Sequence, residues 1–496
     1  MSSVHILDDD SLLNTFRLYR LIVFDEEKTD DHQIFAEESV HERWWYKPAH
    51  VCRRWRSLIF GSASHLNLCL VCTYRTPVAE MLAHSPPLPI IIDHLPKYYK
   101  KLANSEEEGI LVALKQRDRV RRIRLIMQAP EIRWLIAAID EEFPMLEYLC
   151  ITPTIQRVET WVLPTGFRAP RLRYLMLTDC VLPIRSPLLT TEAGLVTLTL
   201  DTIHEPSYFS PDDLLERLSL MHHLQSLTIN FSFPVPDNDA RGQLLVMTHV
   251  TLPNLRSFAF QGEGPYLEAL IPHVTTPLLE KLRVGLFDER ALSVPHLLQF
   301  IITTECFTGG LSSAVLRFNL LSASVMLYPD SDVGAQMYSL CLSIQDSPFD
   351  WQVVFAAHVF DVLRSVLSEV VHLTLEDWYR TGTITESTHW HNQADRADWR
   401  KVLGPFINVT TLSMHNGLVA EVSRSLQSDG GEQRVDLLPR LNKLECYGSG
   451  NASDAFTAFI DTRKNAGRPV TLIRLEHFPI QIHGMKTIRP EIPPPF

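Results

Sequence analysis

No uninterrupted apolar run in this chain approaches the length of a membrane-spanning helix. The N-terminus opens with Asp8, Asp9 and Asp10 and lacks a basic segment followed by an apolar stretch, so no secretory leader is expected. Basic charge is also scarce. There are 46 Lys and Arg against 58 Asp and Glu, a formal net charge of −12. A dedicated nucleic-acid binder concentrates Lys and Arg against phosphates, so that class is disfavoured. Catalytic signatures are missing too: no Gly-x-Gly-x-x-Gly, Walker A loop, His-Glu-x-x-His or Gly-x-Ser-x-Gly occurs. Gly262-Glu-Gly264 runs straight into Pro265, and His41-Glu42 lacks the second histidine. The eight cysteines are scattered among mostly apolar neighbours, as reduced thiols in the cytoplasm or nucleus would be. Cys69-x-x-Cys72 has no second pair at zinc-site spacing and reads as two cysteines on a buried strand. His389-Trp390-His391, with Glu386 and Asp395 nearby, is the closest approach to a metal cluster and reads as an exposed polar loop. No catalytic residue, cofactor or metal is expected, and neither is a nucleic-acid or membrane partner.

What is present is a repeated pattern in a chain of ordinary globular composition, 45% apolar and 21% charged. At 496 residues, several domains or a repeat array are the prior. From residue 120 onward the pattern apolar-x-x-apolar-x-apolar recurs. It begins at Val120-x-x-Ile123-x-Leu125, Leu146-x-x-Leu149-x-Ile151 and Leu172-x-x-Leu175-x-Leu177. It continues from Leu195, Leu224, Leu255 and Leu279, weakens at Val315 and Met337, and returns at Val370, Val409, Leu441 and Val470. The first seven start 26, 26, 23, 29, 31 and 24 residues apart. Leucine-rich repeats run at about 20–29 residues. Pro144, Pro170, Pro253, Pro277 and Pro439 stand just before motifs, where they reset the chain and discourage helix continuation. Helices are expected between strands, at Glu131 to Asp140, from Ser210-Pro-Asp-Asp213 onward, and at Asp350 to Leu367. One strand–helix unit cannot bury its apolar face alone, whereas stacked units share a core.

If the motif apolars point inward, strand alternation turns the residues between and before them outward. The expected partner-binding concave face is Arg122, Arg124, Tyr148, Tyr174, Met176, Lys281, Arg283, His372, Lys443 and Arg474. Arg117 to Arg124 read as the solvated side of the first repeat.

The first sixty or so residues read differently. Leu12, Leu13, Phe16 and Tyr19 make one helical stripe, preceded by acids that suit a helix start. Val51, Cys52, Trp55, Leu58 and Ile59 make a second, in a helix expected to begin at Pro48. The acid-rich stretch from Asp25 to Arg43 reads as a loop. Residues 63–99 read as a connector with strands near Leu66–Cys72 and Ile90–Ile92 and a helix between. So small a unit leans on the next domain, on another protein, or on both; a plain N-terminal cap on the repeats is the alternative.

Leu7-Asp-Asp-Asp-Ser-Leu-Leu-Asn-Thr-Phe16 followed by Val51-Cys-Arg-Arg-Trp55 resembles the F-box motif. The matching positions are Leu7, Asp10, Leu12, Leu13, Phe16, Val51, Cys52 and Trp55. Asp8 departs from the usual proline and Thr15 from the usual aliphatic. With the lead-in Arg43-Trp-Trp-Tyr46, the chain is similar to the F-box-like proteins of mushroom-forming fungi. The expected organisation is α/β, with an F-box-like helical module at 4–62, a connector at 63–99 and an irregular leucine-rich-repeat solenoid with a curved parallel sheet at 100–496. The resemblance implies a non-catalytic substrate receptor of a ubiquitin ligase. It implies adaptor contacts at Leu7, Leu12, Leu13, Phe16, Val51, Cys52, Trp55 and Leu58 with a Skp-family protein and, through it, a cullin. An unknown protein substrate would sit on the repeats. An interaction scaffold with a non-functional module is the competing reading.

Overall fold

The computed structural model describes residues 7–25, 42–73, 76–94, 104–154, 160–190, 194–204, 207–232, 248–287, 294–329, 338–345, 347–377, 395–426, 437–447 and 452–475. The chain is mixed α/β with a large, mostly parallel sheet. It divides into two compact units, residues 1–209 with 220–224, and 210–219 with 225–496. Among the described residues no helix is long and apolar enough to cross a membrane.

In the first unit six parallel strands pair in chain order: β1 (Leu70–Thr73), β2 (Ile90–His94), β3 (Val120–Met127), β4 (Tyr148–Pro153), β6 (Tyr174–Thr178) and β8 (Thr197–Ile203). The short strands β5 (Trp161–Val162) and β7 (Cys180–Val181) pair apart. The ladder therefore starts at residue 70, inside the stretch expected to be a connector. Ile123, Leu149, Leu175 and Leu198 are register partners in succession, and none is more than 1% exposed. That places the fourth motif position on the core face, as alternation requires.

The prolines act through a specific turn. The backbone N–H of Leu146, Leu172, Leu255, Leu279 and Leu441 donates to the carbonyl three residues earlier, on Phe143, Ala169, Leu252, Thr276 and Leu438. Each proline is the second residue of that turn, where its fixed φ fits. The turn delivers the first motif leucine to the core just before the strand begins.

In the second unit β9 (Ser226–Phe231), β11 (Ser257–Gly262) and β13 (Lys281–Leu286) continue the parallel pattern, with a small separate pair β10 (Val250–Thr251) and β12 (Val274–Thr275). The order then reverses. β14 (Leu311–Phe318) and β15 (Ser322–Pro329) form an antiparallel hairpin across Leu320-Leu321, and β15 pairs antiparallel with β16 (Leu340–Gln345). β16 lies parallel to β13, and β14 lies parallel to β17 (His372–Asp377). A backward meander is thus set into an otherwise parallel ladder, which ends in β18 (Thr411–His415), β19 (Lys443–Tyr447) and β20 (Thr471–Leu475).

The two weak motifs fare differently: the later one puts its fourth and sixth positions, Leu340 and Leu342, in the core opposite Leu282 and Val284. Met337 lies outside the described residues. Val315 faces outward, because Ala314 and Leu316 are the partners of the core residues Leu373 and Leu375. The last motif is displaced by one residue: Leu472, not Ile473, pairs with Leu444. Among the described residues β20 has a single strand neighbour to hold its register.

Helices cover the core face. Phe318 of β14 meets Phe349, at the start of helix Phe349–Val362, at 5.1 Å, and Trp399 of helix Arg396–Leu403 at 5.7 Å. Trp399 Nε1 donates to Glu421 Oε2 of helix Asn416–Leu426 at 2.9 Å. Glu421 is buried. Its carboxyl is pushed up to about 7, first by that burial and further by the Asp377 carboxylate, against the Trp399 hydrogen bond and Arg424. The other expected helices stand close to their places: Ala129–Ile136, with a capping box from Gln128 and Glu131, and Pro211–Leu218, capped by Ser210 and Asp213.

Candidate interaction surfaces

The N-terminal module pairs helix Asp9–Asp25 with helix Arg53–Gly61. Phe16 meets Trp55 edge-on at 5.0 Å. Arg54 ties the pair down, donating to Asp9 Oδ1 at 2.8 Å and to the Leu7 carbonyl at 2.6 Å. Asp8, in the place of the usual proline, accepts from the Ser11 N–H at 2.7 Å and caps the helix, a bond that holds its carboxyl below the usual range. Thr15, the other departure, is exposed and bonds back to the Ser11 carbonyl. The second helix begins at Arg53, not Pro48. Cys52 is extended there, and its Sγ accepts from the Trp55 N–H, while Pro48 sits in a separate turn, Tyr46–Ala49.

The expected adaptor residues separate into three groups. Leu12 and Phe16 are 0% and 1% exposed, so they hold the module together and offer no surface. Leu13, Cys52, Trp55 and Leu58 are half-buried. Leu7 and Val51 are exposed. The stripe reasoning missed Leu18 and Leu21, each 60% exposed, which stand one turn apart on the first helix. Their signal was available: both are apolar yet off the stripe defined by Leu12 and Phe16.

The Arg43-Trp-Trp-Tyr46 lead-in has a structural task. Trp45 Nε1 donates to the Cys69 carbonyl at 3.1 Å. Arg43 donates to the Val71 carbonyl at 3.2 Å and to Thr76 Oγ1 at 2.9 Å, and also bonds Thr73. The segment occupies polar groups along the terminal strand β1, which would otherwise be an open sheet edge. Cys69 clusters with Val71 and Ile91 on the outward face, while Cys72 pairs with Ile92 on the core face. A spacing of three on a strand points the two thiols opposite ways, so they do not converge on a metal. Burial pushes them up to about 11 and about 12, and both stay protonated. Among the described residues no cluster of His, Cys, Asp or Glu suits a metal ion; His389 and His391 lie outside them.

The outward sheet face of the first unit is largely closed. Arg124, expected to face solvent, is 2% exposed and bound through both Nε and Nη2 to Asp93, at 2.8 and 2.5 Å. The Tyr148 and Tyr174 rings meet at a tilt across neighbouring strands, 6.0 Å apart, and Arg122 lies 5.0 Å over the Tyr148 ring. Tyr148 and Met176 are buried, as are Thr197 and Thr199, so Arg122 and Tyr174 are what remains half-accessible of the expected set.

In the second unit the outward face is more open. Lys281 and Arg283 are half-buried side by side on β13, and Arg283 donates to the Tyr338 hydroxyl at 3.3 Å. Arg317 is bound to Glu376 at 2.6 Å, and Lys443 to Glu445 at 2.6 Å. His372 is exposed. Arg474 does not belong to this face, because its register partner is the core residue Cys446.

Compared with known proteins, the chain matches no family model and no curated protein.

Proposed function

We propose that this chain is the substrate-receptor subunit of a Skp–cullin–F-box type ubiquitin ligase, itself non-catalytic. The N-terminal helical module receives a Skp-family adaptor and, through it, a cullin. The strand-and-helix units form a leucine-rich-repeat solenoid whose outward sheet face takes a protein substrate. The observation that carries the reading is the pair Leu18 and Leu21, exposed on a helix whose opposite side is already buried. A module this small, with apolar side chains left in water, is suited to a partner's apolar surface. The F-box-like residues Leu7, Val51 and Cys52 flank the same helix pair, and Trp55 lies within its second helix.

A second reading, a scaffold whose module caps the sheet and binds no adaptor, is favoured by the grip of Arg43 and Trp45 on β1. Co-purification of a Skp-family adaptor with the full chain separates the two. Adaptor recovery by the wild type, and its loss in Leu18→Asp with Leu21→Asp, is the expected result. Both positions are exposed, so the variant should stay within about 0.5 kcal/mol of wild-type stability. No recovery by the folded wild type removes the ligase reading.

A further inference from the structure

The outward face of the second unit carries a charge pattern unlike the chain as a whole. Register assigns its residues strand by strand. β9 contributes Ser226, Thr228 and Asn230; β11 contributes Ser257, Ala259 and Gln261; β13 contributes Lys281, Arg283 and Gly285. β16 adds Cys341, Ser343 and Gln345, β15 adds Ser322, Ser324, Met326 and Tyr328, and β14 adds Ser313, Val315 and Arg317. Across six adjacent strands there are three cations and no carboxylate, in a chain of net charge −12. The first acid, Glu376, comes on β17 and is bound by Arg317. Some side chains beside the cations are small: Ala259 is the register partner of Arg283 and Ser324 that of Arg317, with Ser343 on the strand between. Two phenols, Tyr328 and Tyr338, stand 6.5 Å apart beside them. Burial raises the Tyr328 hydroxyl, so it remains a neutral O–H.

We propose that this face of the second unit binds an acidic polypeptide segment, with Lys281 and Arg283 meeting its carboxylates. The assignment deepens the reading that the outward sheet face takes a protein partner, and rests on it. Complementary charge sets partner choice and encounter rate. Half-buried guanidinium and ammonium groups beside Tyr rings attract a carboxylate more strongly than fully hydrated ones do. Small neighbouring side chains leave a chain room to lie across the strands, and low acidity on the face removes the repulsion that the rest of the molecule would exert.

The test is fluorescence anisotropy of the full chain with a labelled peptide of alternating Asp and Ser, beside its Lys–Ser counterpart. Binding of the acidic peptide alone, weakening as salt rises, is expected. Lys281→Gln with Arg283→Gln should weaken it about tenfold or more, with the circular dichroism spectrum unchanged. Arg364→Gln, an exposed cation on a helix, should leave it unaltered. Ser324→Arg, which adds a cation to the face, should tighten it and does not depend on the first variant folding. Equal binding of the basic peptide, affinity indifferent to both face variants, or tighter binding of a single-stranded RNA oligonucleotide would overturn the proposal. Adaptor recovery without acidic-peptide binding overturns the charge assignment alone. Peptide binding without adaptor recovery leaves it standing and removes the ligase reading.

Discussion

The outward sheet faces of the two units are built by the same alternation of strand residues, yet one is largely closed and the other partly accessible. In the first unit successive strands place Arg124, Tyr148, Tyr174 and Met176 at these positions, and such long side chains cover one another and the ion pair beneath. In the second unit buried Thr228, Gln261, Cys341 and Met326 share the face with Ala259, Ser343 and Ser324, which shield little. Alternation decides which way a side chain points. The size of its neighbours one strand away decides whether solvent reaches it.

The contrast predicts its own tests, and the largest effect lies in the closed face. Asp93→Ala leaves Arg124 buried without its carboxylate and should cost about 3–5 kcal/mol. Urea unfolding measures it. Replacing both partners with apolar residues of similar volume should recover most of the loss, and no recovery would mean that the pair does more than satisfy itself. On the core face Leu175→Ala should cost about 2–5 kcal/mol as a large-to-small change, while Ser324→Ala on the open face should stay within about 0.5 kcal/mol. Equal effects at the two positions would break the distinction between core and outward faces.

A subtler test uses pH. The first unit buries a charge with its counter-ion; the second buries Glu421, whose folded carboxyl titrates near 7 against a reference of 4.5. The folded state therefore holds this proton where the unfolded state has released it. Its contribution to stability is full below about pH 4.5 and is lost as pH rises through about 7. Glu421→Gln should flatten that part of the stability profile, read as the unfolding midpoint between those two values. An unchanged profile would show that other groups set it.

Much of the ladder was legible in the sequence, because Leu149, Leu175 and Leu198 repeat at strand spacing and Pro144, Pro170 and Pro253 carry a defined turn. Orientation could be read there, and accessibility could not. Nothing in residues 120–127 says that Arg124 will find Asp93, 31 residues earlier, because that pairing exists only once β2 and β3 are side by side. The meander was hidden for a different reason: an alternating strand looks the same whether its neighbour runs parallel or antiparallel. The N-terminal stripes correctly marked Leu12 and Phe16 as apolar partners, but a stripe that must hold two helices together is the one already covered. The useful signal was the surplus, Leu18 and Leu21.

The meander also changes how the chain could be shortened or assembled. In a plain array each unit touches only its neighbours, so folding can advance from any point and an end unit can be removed without disturbing the rest. Here β13 waits for β16, and β14 finds its parallel partner only when β17 arrives. Leu282 and Leu340 must meet across the whole intervening segment, a closure whose entropy is met before any neighbouring contact rewards it. The stretch from β13 to β17 therefore behaves as one indivisible block. Truncations ending inside it should leave unpaired strands and aggregate, whereas one ending after β18 or β19 removes single steps.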